Sequence, residues 1–161
     1  MIRFIFAGFI LFGSTLASQA QVSLEDLSVK GIFGMDRREI VSTKIKMSST
    51  DSMSFWPVFD QYENERKGIY LDRIKLVKSF LSEYSNMTDE EMTELMQAAM
   101  DLESNQFKLM DTYYHKFKKS VSAMVVAQWM QLEFYMNLAV KLAWQEKLPF
   151  IGDIKLMPLK K

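Results

Sequence analysis

Between residues 51 and 148 the chain holds one glycine, Gly68, and one proline, Pro57. These are the residues that break helices best. Glycine costs backbone entropy, and proline lacks an N–H and clashes with the preceding turn. A stretch so poor in breakers commits the chain to long helices. Cysteine is absent, so neither a disulfide nor a thiolate metal site can staple them. Packing or association must hold the fold.

Apolar spacing and capping residues divide the stretch. Ser48-Ser49-Thr50-Asp51 is a capping cluster, and the helix after it runs to about Tyr84. Phe55, Phe59, Tyr62, Ile69, Leu76, Val77, Phe80 and Tyr84 follow the three-four spacing of one face. Pro57 is expected within its first two turns, where the missing N–H matters least. At 1.5 Å per residue such a helix reaches roughly 50 Å, which implies an elongated or paired shape. Ser85-Asn86-Met87 forms a turn. Thr88 then caps the next helix, with Glu91 three residues on and acids filling the first turn. Met92, Leu95, Met96, Ala99, Leu102, Met110, Tyr113 and Phe117 mark its buried face. Ser120-Val121-Ser122 is the second turn, with Ser122 as cap. The last helix carries Val125, Val126, Trp129, Leu132, Met136, Val140, Ala143 and Trp144, and stops before Pro149. A weaker short helix, capped by Asp36, covers residues 36–47.

The expected architecture is all-α. It is an elongated antiparallel hairpin of three long helices plus a short N-terminal helix, forming one domain over residues 36–149 and pairing as a dimer. Residues 21–35 are expected as a poorly ordered arm and residues 150–161 as a mobile tail. The first twenty residues have the order of a secretory signal: Arg3, then an apolar run from Phe4 to Leu16, then Ala17-Ser18-Gln19-Ala20 with the cut after Ala20. The apolar run is short of the roughly 20 residues a membrane span needs. The mature chain is expected in the periplasm and not embedded in a membrane. Lys+Arg and Asp+Glu both number 20, and losing Arg3 leaves 19 against 20, or −1. Nucleic-acid binding is not expected, because phosphate recognition needs a basic excess.

No catalytic constellation stands out, and neither enzymatic activity nor a cofactor is expected. His115 is the single histidine, too few for a multi-histidine metal site. It reads as a surface residue near a helix end, with a pH-sensing role open to it. Met92, Met96 and Met100 recur every four residues on one helix side. Such thioethers suit adaptable packing or partner binding, with a soft Cu(I) site as the weaker alternative. Phe55, Trp56, Phe59, Tyr62 and Arg66 crowd the first long helix, with Met92, Met96 and Trp129 opposite. Core and dimer contacts account for such a surface by default. Its excess offers a partner-binding face.

Met87-Thr88-Asp89-Glu90-Glu91 resembles the Leu-Thr-x-x-Gln signature of Spy/CpxP-like periplasmic stress proteins, with Met for Leu and Glu for Gln. Val121-Ser122-Ala123-Met124-Val125 matches its first two positions. Phe55-Trp56-Pro57, Tyr62, Glu65-Arg66, Lys118-Lys119, Gln131-Leu132-Glu133 and Leu148-Pro149 are similar to exported members labelled as sigma-factor-linked sensors. The likeness spans roughly residues 50 to 150. It implies a thin, curved helical hairpin, often an antiparallel dimer, that holds unfolded or envelope proteins without ATP. The histidine ligands of the metal-sensing branch are missing. Chaperone or envelope-stress adaptor is therefore the expected function. The alternatives are a regulatory sensor that binds an envelope partner or copper, and a structural helical dimer.

Overall fold

The computed structural model describes residues 27–151 and 154. The expected signal (1–20), the first residues of the expected arm (21–26) and most of the expected tail lie outside the described residues. Among the described residues the fold is all-helical, with no strand: α1 (Val29–Phe33), α2 (Arg37–Lys44), α3 (Ser49–Glu83), α4 (Asp89–Phe117) and α5 (Ala123–Lys147).

Local chemistry sets the helix starts. Ser48 caps α3 by accepting from the Asp51 N–H at 3.0 Å. Thr88 and Glu91 form a capping box at α4: Glu91 N–H donates to Thr88 Oγ1 at 3.2 Å, and Thr88 N–H donates to Glu91 Oε2 at 2.8 Å. Asp36 and Glu39 form a second box at α2. Pro57 lies past the first two turns of α3, yet the helix continues through it. Both Pro57 and Met53 are exposed, so water can reach the Met53 carbonyl that Pro57 leaves without a donor.

The main core gathers at one end of the long helices. Phe55, Phe59 and Tyr62 of α3 meet Met110, Tyr113 and Phe117 of α4 and Val125, Val126 and Trp129 of α5. Phe55 stacks on Phe117 at 4.7 Å between ring centres, and Tyr62 meets Trp129 edge-on at 5.2 Å. Such aromatic contacts add to the burial of large apolar areas. Along α3 the partners on α4 fall in number as those on α3 rise: Phe55 with Phe117, Tyr62 with Tyr113, Arg73 with Glu103. Farther along, Val77 of α3 and Trp144 of α5 close a smaller cluster with Leu27.

The expected arm is structured where it is described. Leu27 and Val29 are buried, and α1 packs against α5. Trp144 Nε1 donates to the Leu27 carbonyl at 2.8 Å. Val29 joins Ile40 and Met136 in a third cluster. α1 holds five residues, too few to show a helical period, and ends on Gly34 in the left-handed region at φ 68°. Tertiary burial, not local propensity, orders this segment.

Candidate functional site

Most of the aromatic residues expected to hold partners are core residues. Phe55, Phe59, Tyr62 and Trp129 are fully buried between α3, α4 and α5. They offer no surface to a partner in this chain. Periodicity identified the apolar face correctly, but three layered helices bury it. Trp56 is half-buried, with Arg38 above its ring at 4.3 Å and its Nε1 donating to Ser52 Oγ at 3.1 Å. Arg66 is committed to Glu63 through two hydrogen bonds, at 2.9 and 3.0 Å. Met92 is half-buried, whereas Met96 and Met100 are exposed. Their thioethers stay open to a soft metal or an apolar partner. Among the described residues no group of three or more His, Cys, Asp or Glu side chains is placed to hold a metal ion. His115 is exposed, 3.6 Å from Asp111.

Ser122 occupies the N-cap position of α5 but makes no side-chain capping bond there. Instead its N–H and hydroxyl donate to the two Asp51 oxygens at 2.7 and 3.0 Å. Asp51 thus ties the start of α3 to the start of α5. The bond from the Ser122 N–H holds the Asp51 carboxyl below its ordinary value.

A charged pair lies at the centre of the fold, and the apolar periodicity gave no hint of it. Glu133 of α5 is fully buried, and Arg37 of α2 nearly so. Arg37 Nη2 and the Tyr62 hydroxyl both donate to Glu133 Oε1, joined by Asn137 Nδ2 at 3.2 Å. Arg37 also reaches Asn137 Oδ1 at 3.3 Å and Glu63 at 3.2 Å. Burial pushes the Glu133 carboxyl up, but the Arg37 charge and the donated hydrogen bonds outweigh it and leave the group low. Burial and the Glu133 charge raise the Tyr62 hydroxyl well above its ordinary value. The pair pins α2 across α3 and α5. The visible signal was Gln131-Leu132-Glu133 inside an apolar helix, with an arginine at the start of the helix in front.

The surface of α5 carries a second apolar face. Phe134, Leu138 and Leu142 recur every four residues and are 50, 66 and 45 % exposed, with Tyr135 beside them at 60 %. The opposite face of the same helix buries Val125, Val126, Trp129, Met136 and Trp144. Lys141 pairs with Glu103 beside this stripe. Phe107, one turn on from Glu103 on α4, is exposed as well, and so are Met100 and Met96 farther along that helix. Phe33 of α1 flanks the other side, 5.7 Å from Tyr135 between ring centres.

No known family, curated protein or solved structure matches this chain. Its own geometry therefore carries the functional argument. Among the described residues no helix is long and apolar enough to cross a membrane. A helix apolar on both faces is at home only with material on both sides of it. The inner side of α5 has the core, while on its outer side Phe33 reaches Tyr135 and the described residues leave Phe134, Leu138 and Leu142 largely uncovered. The sequence puts the expected partner face on the aromatics of α3, with Met92 and Met96 of α4 and Trp129 of α5 opposite. The signal for α5 was available in Phe134, Leu138 and Leu142, which repeat at four residues alongside the core set.

Proposed function

We propose that the chain is an exported, non-enzymatic binding module of the Spy/CpxP-like kind. It works in the periplasm after its signal is cleaved, as an ATP-independent chaperone or envelope-stress adaptor. The long helices form an elongated antiparallel hairpin that pairs as a dimer. Apolar segments of unfolded or envelope proteins dock on the outer face of α5 and the adjoining side of α4. The observation that carries this reading is the exposed stripe Phe134, Leu138, Leu142 with Tyr135. Contiguous apolar surface of this kind marks interaction sites on otherwise well-packed proteins. The exposed methionines Met96 and Met100 add side chains able to adapt to varied partners.

The test is the aggregation of a reduced or heat-stressed client, followed by light scattering with the mature protein and no ATP. Suppression at near-equimolar ratio supports the chaperone form of the reading. A folded protein that leaves aggregation unchanged directs the reading to the adaptor form, tested by capture from envelope extracts on Phe134→Asp and wild-type columns. Sedimentation velocity run alongside separates the structural reading. A dimer that persists through this face in the presence of client, with no protection, means that the face is an interface between copies and nothing more.

A further inference from the structure

A cleft of about 200 Å³ opens where the N-terminal segment meets α3, α4 and α5. Lys30, Arg37, Arg66, Arg73 and Lys141 line it, against Asp36 and Glu63. Glu103 pairs with Arg73 and Lys141, and Glu133 pairs with Arg37. Among the described residues the neighbourhood thus holds five cations and four carboxylates, a net of +1. The surplus in hydrogen-bond donors is larger than the surplus in charge. Glu63 is taken up by Arg66 and Arg37, and Glu103 by Arg73 and Lys141. A guanidinium carries five N–H groups in a fixed fork. Arg73 spends Nη1 on Glu103, and Arg66 spends Nε and Nη2 on Glu63, so each fork has N–H groups to spare. Gln106 Nε2 lies buried at the same cleft, with no acceptor among the described residues. A buried donor of that kind is costly unless something accepts from it.

We propose that this cleft binds a small oxyanion, carboxylate or phosphate, whose oxygens accept from Gln106, Arg73 and Arg66. The forked geometry of two guanidiniums suits paired oxygens. The volume is below the roughly 300 Å³ at which drug-sized ligand sites begin, so the ligand is a small acid, not a nucleotide or peptide. Bound there, it would bridge α3 and α4 beside the segment that carries α1. This inference is independent of the partner-binding reading of α5.

The test is isothermal titration calorimetry of the mature protein at physiological ionic strength, with inorganic phosphate and with succinate in separate runs. Saturable one-to-one binding of either is expected, and which of them binds identifies the anion's chemistry. Arg73→Gln and Gln106→Leu are each expected to weaken it at least about tenfold. Lys75→Gln should leave it unchanged, since Lys75 is exposed, pairs with Asp72 and is not part of the cleft lining. Circular dichroism checks the fold of each variant. If Arg73→Gln does not fold, Gln106→Leu decides, because leucine keeps the volume and removes the donor. The absence of saturable heat from both anions up to about 10 mM overturns the proposal. Equal affinity in the Gln106→Leu and Lys75→Gln proteins overturns it as well.

Discussion

The two faces of α5 have similar residues and opposite fates. Inward, Trp129 and Met136 are fully buried, and even the charged Glu133 is enclosed by Arg37 and Tyr62. Outward, Phe134 and Leu138 stand in solvent one and two residues away. Composition does not distinguish the faces; the positions of α3, α4 and α2 do. A residue's apolar character thus shows that it needs cover, while the packing of neighbouring helices shows whether the same chain supplies it. The inner face accounts for stability, the outer face is the one proposed to take a partner, and each can be perturbed separately.

The largest expected effect is on the inner face at its charged pair. Glu133→Ala leaves Arg37 buried without its partner and should cost about 3–5 kcal/mol in chemical denaturation. The same pair predicts acid sensitivity. The folded-state Glu133 carboxyl lies below its ordinary value of 4.5, so the unfolded chain binds the proton first. Its contribution is complete above that ordinary value and is lost as pH falls through the folded-state value. Asp51, lowered by Ser122, adds to the loss in the same direction below its ordinary 3.8. A pH series of denaturation midpoints on wild type and Glu133→Gln should show a shallower acid decline in the variant.

Met136→Ala comes next, at about 2–5 kcal/mol for a buried methionine. Thr88→Ala removes half of the α4 capping box and should cost about 1 kcal/mol. Leu138→Ala, two residues from Met136, should stay within about 0.5 kcal/mol of wild type, as exposed substitutions do. Equal losses at Met136 and Leu138 would erase the difference between the faces. Phe59→Asp or Tyr62→Asp, by contrast, puts a charge into the aromatic core and should unfold the protein without informing on partner binding.

The helical class and the starts of the long helices were legible in the chain. Few breakers, the Ser48 and Thr88 caps and the three-four spacing of Phe55, Phe59 and Tyr62 are local signals. The segment from Leu27 to Phe33 was not legible, because five helical residues show no period and their order comes from Trp144 and Met136, more than a hundred residues away. Glu133 was hidden for a related reason. A carboxylate inside an apolar helix reads as a solvent-facing position until Arg37 is known to lie over it. Ser122 had the right position and another role, since its donors turn to Asp51. The dense aromatics of α3 resemble a partner face in sequence, but density of that kind marks a core when three helices close on it.

The most direct measurement compares wild type with the Phe134→Asp, Leu138→Asp double variant in two readouts, thermal unfolding and suppression of client aggregation without ATP. The expected result is a melting transition close to wild type and a loss of protection. A double variant that unfolds, or one that keeps its fold and still protects the client as wild type does, would contradict it.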